Sequence, residues 1–170
     1  MRHAPYMAIM FDFSPSPDSG KPQLYDDLIL AAGAITRDEP DAIANMANVA
    51  ALIWQFLPDL NWAGFYRMVG GELVLGPFQG KAACIRIPLG RGVCGTAAVS
   101  GETQRVEDVH AFPGHIACDA ASASEIVLPV IVQGRVIAVL DLDSPLPARF
   151  DAADQAGLEA LIARIGPHLV

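Results

Sequence analysis

The stretch EIVLPVIVQGRVIAVLDLD, residues 125–143, carries the strongest structural signal in the chain. It consists of two apolar runs, 125–132 and 135–143, separated by Gln133-Gly134, a pair typical of a two-residue turn between antiparallel strands. Both runs are apolar along most of their length, so we expect a hairpin within a sheet that is covered on both faces. The rest of the fold is predicted around this hairpin.

Three carboxylic acids interrupt the apolar hairpin at its open end: Glu125, Asp141 and Asp143. Asp141 and Asp143 are two residues apart, so their side chains point to the same face of the strand. Like charges at that spacing destabilise a strand unless a cation lies between them or one of them is protonated. Two interpretations stay open: a strand that frays into water before Pro145, or a pocket that binds an ammonium group.

The pairing register of the hairpin decides whether Glu125 joins the two aspartates. A strict two-residue turn places Ile126 opposite Asp141 and Glu125 opposite Leu142. A β-bulge or a three-residue loop would shift the pairing by one residue and bring Glu125 to the aspartates. We predict such a shift.

Two helices are predicted before this hairpin. The first runs from Leu24 to about Ile35, and the second is capped by Asp41 and ended by Pro58. We place Trp54 in the core, because it belongs to the apolar stripe of the second helix, which comprises Ile43, Met46, Ala47, Ala50, Ile53, Trp54 and Leu57. A loose Pro- and Ser-rich arm is expected over residues 1–23, and a single domain over residues 24–170.

A second hairpin is predicted from strands at 61–69 and 72–78, joined by a Gly-Gly turn. Trp62, Gly64 and Tyr66 share one face of its first strand, because side chains alternate along a strand. Two aromatic residues that flank a glycine form a flat apolar shelf. That shelf is either a ligand surface or a sheet face covered by a helix.

The order of elements predicts an α+β fold. Short strands are expected at 82–88 and 104–106, and Asp151 is expected to cap a last helix with an apolar stripe of Leu158, Leu161, Ile162 and Ile165. Helices at both ends of the chain must then cover the sheet. The result is an antiparallel sheet sandwiched between helical layers.

All three cysteines lie in the irregular part of the chain, at Cys84, Cys94 and Cys118. Residues 90–95, GRGVCG, match the GxGxxG pattern, but a short helix at 96–99 and a weak strand after it disfavour a dinucleotide site. The glycines are better explained by a sharp turn into that short helix. Its N-terminal dipole would favour a thiolate at Cys94.

A metal site is also disfavoured. His110 and His115 lie near the cysteines in a long irregular segment of the kind that often carries function. However, the spacing includes no C-x-x-C motif and no close histidine pair of the kind that binds zinc.

Composition excludes several classes of partner. The net charge is −8 with 11 basic residues, which is unfavourable for binding nucleic acid or an anionic membrane. No apolar run has the length of a transmembrane helix, and residues 7–11 are too short for a signal peptide. We therefore expect a cytoplasmic protein, whose cysteines are core residues, metal ligands or redox catalysts.

The chain resembles the free methionine-(R)-sulfoxide reductases, small enzymes with a GAF fold, from Tyr25 to Ile165. Four segments carry the resemblance: NWAGFY (61–66), LVLGPFQGKAACIRIPLGRGVCG (73–95), ETQRVEDVHAFPGHIACDAASASEIVLPV (102–130) and RVIAVLDLDSP (135–145). The resemblance implies reduction of free L-methionine (R)-sulfoxide to methionine, regeneration by thioredoxin, a homodimer, and a sheet of about six strands. No metal or organic cofactor is expected.

The resemblance also implies roles for eight residues. Cys118 would attack the substrate, Cys84 would resolve the oxidised thiol through a disulfide, and Cys94 would have an auxiliary or alternative resolving role. The substrate-binding residues would be two aromatics around the methyl group and three acids that hold the amine and assist proton transfer, namely Trp62, Tyr66, Glu125, Asp141 and Asp143.

Selectivity for a free amino acid is expected to come from its ammonium group, since a peptide bond carries no cation there. Backbone N–H groups near residues 116–118 are expected to hold the carboxylate. Two other classes stay open: a regulatory GAF module that binds a small ligand, although no output domain is expected after the last helix, and a zinc-dependent module.

Overall fold

A computed structural model describes residues 13–16, 20–114 and 119–170. Within them the elements are α1 (Lys21–Thr36), α2 (Ala42–Phe56), β1 (Trp62–Val69), β2 (Glu72–Gly80), β3 (Arg86–Ile87), α3 (Gly92–Ser100), β4 (Gln104–Val106), β5 (Ser124–Val132), β6 (Arg135–Ser144) and α4 (Ala152–Ile165). The strands form one six-stranded sheet in the order β3-β2-β1-β6-β5-β4, with antiparallel neighbours throughout. The predicted α+β fold and number of strands are confirmed.

Both faces of the sheet are covered, as predicted. One face packs against α1, α2 and α4 through fully buried residues that include Leu28, Ile53, Phe65, Leu128, Leu140 and Leu161. The opposite face packs against α3 and carries Trp62, Tyr66, Leu73, Val127 and Val139. Side chains alternate along each strand, so β1 contributes Phe65 to the first layer and Tyr66 to the second.

The first helix begins three residues earlier than predicted, at Lys21 rather than Leu24. Pro22 lies in its first turn, where the N–H that proline lacks has no helical acceptor, so the residue is compatible with the helix. The last three residues of the arm predicted over residues 1–23 therefore belong to α1.

The second helix begins where the cap predicts and buries four of the seven residues of the predicted stripe, Met46, Ala50, Ile53 and Leu57. Oδ1 of Asp41 accepts hydrogen bonds from the backbone N–H groups of Ile43 and Ala44, at 2.8 and 2.9 Å. Trp54 is 40% exposed, so its assignment to the core is wrong. Ile43 and Ala47 are exposed as well, because the buried arc is centred on Met46, Val49, Ala50, Leu52, Ile53 and Phe56.

The central hairpin contains the predicted register shift. Val132 pairs with Arg135 and Ile131 with Val136, but Val130 then pairs with Ala138, which leaves Ile137 as the extra residue of a bulge. As a result Glu125 lies opposite Asp143, and Val127 lies opposite Asp141. The turn itself is as predicted, with positive φ angles at Gln133 (51°) and Gly134 (73°).

The glycine-rich segment leads into α3, which begins at Gly92 and is longer than the helix predicted at 96–99. A Cβ atom on Gly95 would lie 2.6 Å from the carbonyl oxygen of Pro88, so glycine is needed for this close approach. In the described residues, the strands on either side of α3 lie at opposite edges of an antiparallel sheet. This is not the parallel βαβ unit that a dinucleotide site requires.

A buried ion cluster joins the first and last helices. Asp154, which is 1% exposed, accepts hydrogen bonds from Tyr25 Oη at 2.8 Å and Lys21 Nζ at 2.6 Å. Arg149 lies 3.2 Å from the same carboxylate. Asp151 caps α4 as predicted, and Leu158, Leu161 and Ile165 are fully buried.

Within the part of the chain that the structure describes, no helix has both the length and the apolar character needed to cross a lipid bilayer.

Candidate active site

A cavity lies on the α3 side of the sheet and brings together six of the eight predicted site residues: Trp62, Tyr66, Cys94, Glu125, Asp141 and Asp143. Cys84 is half-buried and packs against the apolar residues between α3 and the sheet. It directly follows Ala82 and Ala83, which line the cavity. Cys118, His115 and the segment 116–118 predicted to hold a carboxylate lie outside the described residues.

The three acids form one cluster because the bulge and the β1–β6 pairing align them. Glu125 lies opposite Asp143, and Asp141 lies between Gly64 of β1 and Val127 of β5. Glu125 and Asp141 are each only 6% exposed. The interpretation of a strand that frays into water is therefore wrong, since β6 continues to the fully buried Ser144.

The cluster holds protons that isolated carboxyls would release at neutral pH. Burial, followed by the negative charges of Asp141 and Asp143, raises the pKa of Glu125 well above its usual value. Burial and the charge of Asp143 raise the pKa of Asp141 in the same way. Burial raises the pKa of Asp143 to about 7, against a hydrogen bond from Ser122. Such a cluster is stable only when protons or a cation offset its charge.

The Asp141 carboxylate interacts with the side chains of Glu125 and Cys94. Its Oδ2 accepts a hydrogen bond from the thiol of Cys94 at 3.2 Å. Its Oδ1 is buried and has no hydrogen-bond partner among the residues described. A buried acceptor without a partner costs about 1–3 kcal/mol, so this oxygen is suited to a ligand that donates a hydrogen bond.

Cys94 is a neutral thiol, which corrects the prediction of a thiolate at a helix N-terminus. The residue is only 4% exposed, and burial together with the charges of Asp141 and Glu125 raises the pKa of its thiol well above the usual value. A helix dipole contributes about half a charge at its end, which these effects outweigh.

Trp62 and Tyr66 lie side by side on one face as predicted, and a third aromatic residue joins them. The rings of Trp62 and Tyr66 stack with centroids 5.7 Å apart, and Phe78 stacks on Trp62 at 5.3 Å. Gly64 is paired with Phe78, and a Cβ atom on Gly64 would lie 2.3 Å from the Cβ of Phe78. The glycine therefore allows close approach of the neighbouring strand, and Trp62 and Tyr66 face the cavity.

The rim of the cavity contains polar residues that sequence patterns did not identify. Lys81 Nζ lies 3.2 Å from Asp119 Oδ2, and Asn61 Nδ2 donates to Ser122 Oγ at 3.0 Å. The indole N–H of Trp62 donates to the carbonyl oxygen of Lys81 at 3.1 Å, which ties the shelf to the loop that carries Cys84. These residues lie in loops, and their only sequence signal was that Lys81 and Asp119 flank the cysteine segments.

The donors do not form a typical zinc site. Among the residues that the structure describes, one group of at least three metal-binding side chains lies close together: Cys94, Glu125 and Asp141, with ligand atoms within 4.8 Å of one another. No histidine belongs to it, and His110 is exposed. The two carboxyl groups of this set can bind an ammonium group without a metal.

Known proteins are similar to this chain in sequence and in fold. The family model of the GAF domain matches residues 38–169. The free methionine-R-sulfoxide reductase of Escherichia coli is 53% identical over 145 residues, covering 85% of this chain and 88% of that protein. The enzyme of the same name from Saccharomyces cerevisiae is 41% identical over 163 residues, 91% of each chain.

A solved structure agrees with these sequence relatives. The free methionine-R-sulfoxide reductase of Neisseria meningitidis, solved in complex with its substrate, is 43% identical and superposes with a TM-score of 0.90, covering 94% of this chain and 96% of that one. These identities far exceed what a shared fold alone produces. The chain belongs to the free methionine-R-sulfoxide reductase family of GAF domains.

Proposed function

We propose that this protein reduces free L-methionine (R)-sulfoxide to L-methionine. The observation that carries the proposal is the buried cluster of Glu125, Asp141 and Asp143, which lines the same cavity as Trp62 and Tyr66. A small zwitterion with an apolar end has matching chemistry. Family membership supports the same substrate.

The acid cluster selects for an amino acid with a free ammonium group. Removing charged groups from water is costly unless they are paired, and the ammonium would supply the missing cation and a donor for Asp141 Oδ1. A methionine residue within a protein carries an amide at this position and would leave the cluster unpaired. The methyl group would lie against Trp62 and Tyr66, and backbone N–H groups at 116–118 would hold the carboxylate.

The first chemical step is attack by the Cys118 thiolate on the sulfoxide sulfur. The sulfoxide oxygen is a poor leaving group until it is protonated, so an acid must deliver a proton as the sulfur–oxygen bond breaks. One of the clustered carboxyls supplies it, because burial and mutual repulsion keep protons in the cluster at neutral pH. The attack forms a sulfur–sulfur bond as the protonated oxygen leaves as hydroxide. Hydroxide then adds to the Cys118 sulfur, the sulfur–sulfur bond breaks with methionine as the leaving group, and the cysteine becomes a sulfenic acid.

The second step regenerates the thiol. The Cys84 thiol condenses with the sulfenic acid of Cys118 to form a disulfide and one molecule of water. The dithiol of thioredoxin then reduces this disulfide by exchange and is itself oxidised. The two electrons that reduce the sulfoxide therefore come from thioredoxin. We also propose that the protein is a homodimer that acts in the cytoplasm.

A coupled assay tests this function. The wild-type protein, thioredoxin, thioredoxin reductase and NADPH should consume free methionine (R)-sulfoxide but not the (S) epimer. Cys118→Ser should abolish turnover and methionine release. Cys84→Ser, the matched control, should still release about one methionine per chain and then stop, because only recycling needs the second cysteine.

Three outcomes would contradict the proposal. Continued turnover by Cys118→Ser would exclude this residue as the nucleophile. Tight binding of the sulfoxide without formation of methionine would favour a regulatory GAF module instead. Stoichiometric zinc that is lost on mutation of Cys84 or Cys118 would indicate a metal module.

A further inference from the structure

We propose that Cys94 is a positioning residue, which donates a hydrogen bond to Asp141 and thereby determines which carboxyl of the cluster carries the proton. This role differs from that of a resolving cysteine. It rests on the proposed function, since the cluster is taken to bind the ammonium group and protonate the sulfoxide. The thiol would act through Asp141 without touching the substrate.

The geometry supports a donor that is held in place. Cys94 Sγ lies 3.2 Å from Asp141 Oδ2, and the two residues are 4% and 6% exposed. The start of α3 is fixed by the close packing of Gly95 on the Pro88 carbonyl and by the hydrogen bond from Gly90 N to Gly95 O at 2.9 Å. A thiol enclosed in this way has little surface available for exchange with thioredoxin.

The charges around the thiol require it to be the donor. Burial and the neighbouring acids favour the protonated form of Cys94, and Asp141 is the acceptor at hand. Burial and Asp143 raise the pKa of Asp141, whereas hydrogen bonds from Cys94 and from Glu125 lower it. The two hydrogen bonds therefore favour the carboxylate form of Asp141 and oppose the larger effect of burial.

Other ionisable side chains also lie near Asp141, but they do not replace the hydrogen bond from Cys94. Tyr66 projects from β1, with its pKa raised by burial and by Asp141, so it is neutral. Glu125 on β5 and Asp143 on β6 complete the cluster, while three charged side chains lie farther out on the cavity wall, namely Lys81, Arg91 and Asp119. The charges of both aspartates raise the pKa of Glu125, so Glu125 keeps the proton that is available to the sulfoxide.

Two substitutions separate a hydrogen-bond donor from a redox thiol. Cys94→Ala and Cys94→Ser both remove the sulfur and leave similar space, but only serine keeps a donor. In the Ala variant the acid limb of the pH profile of kcat/KM should move up by about half a unit to one unit, which corresponds to the loss of one weak charged hydrogen bond. The Ser variant should restore the wild-type limb or lie below it.

A measurement without turnover tests the inference separately. In the reduced protein, the ¹³C carboxyl signal of Asp141 should titrate at higher pH in Cys94→Ala than in Cys94→Ser. Equal titration in both variants would overturn the inference, as would a normal first turnover followed by failure of recycling in both. If the wild-type protein does not reduce the sulfoxide but the Asp141 difference is found, the proposed function fails and the inference about Cys94 stands.

Discussion

Replacing Asp143 with asparagine should stabilise the protein at neutral pH, and the gain should disappear in acid. Burial raises the pKa of Asp143 from 3.8 to about 7. A carboxyl whose pKa is higher in the folded than in the unfolded state favours folding when it is protonated. That contribution is fully present below about pH 4 and is lost as the pH rises through 7.

The size of the effect follows from the shift. One pKa unit is worth about 1.36 kcal/mol, so the rise from 3.8 to about 7 corresponds to a loss of about 4 kcal/mol between pH 4 and pH 8. Asp143 is partly exposed and shares its environment with Asp141, which reduces the effect to about 2–4 kcal/mol. Asparagine keeps the shape but carries no proton that can be lost.

Urea denaturation of the reduced protein at several pH values between 4 and 8 measures this difference. The free energy of unfolding of Asp143→Asn minus that of the wild type should grow by about 2–4 kcal/mol across this range. Asp26→Asn, an exposed carboxyl on α1, removes the same charge away from the cluster and is the matched control. A difference that stays constant with pH, or that favours the wild type at pH 8, would refute the reasoning.

Two further substitutions test the ion cluster around Asp154 and the aromatic shelf. Asp154→Ala should lower the free energy of unfolding by about 3–5 kcal/mol in urea denaturation, because it leaves Arg149 and the buried Tyr25 without their partner, while Lys21 keeps its ion pair with Asp151. A loss below about 1 kcal/mol would contradict the importance of that cluster. Gly64→Ala should lower the free energy of unfolding by about 1–3 kcal/mol and raise the KM for the sulfoxide, because its Cβ would lie 2.3 Å from the Cβ of Phe78 and displace Trp62. An unchanged KM would show that the shelf does not bind substrate.

The central hairpin and its acids could be predicted because their signals are local. Alternating or continuous apolar runs indicate strands, and two aspartates at a spacing of two residues must share a face. The register shift was predicted because only a shift brings Glu125 to the two aspartates. The pairing of Glu125 with Asp143 confirms it.

Features that depend on distant neighbours were predicted less well. Trp54 was wrongly placed in the core, because which of the overlapping apolar arcs of α2 is buried depends on the sheet and on α1. The state of Cys94 depends on burial beside Asp141, a residue 47 positions away in the chain. The rim residues Lys81 and Asp119 lie in loops, where no periodic pattern marks a site.

The bulge at Ile137 determines which residues of β5 and β6 lie opposite each other at the cavity. Deleting that residue would restore strict pairing and leave Glu125 opposite Asp143, because every residue beyond the bulge would keep its partner. One residue added or removed between the bulge and the acids, on one strand only, would instead shift that pairing by one position. Natural variation in this hairpin should therefore tolerate changes at the turn or the bulge more readily than a change in the length of either strand between the bulge and the acids.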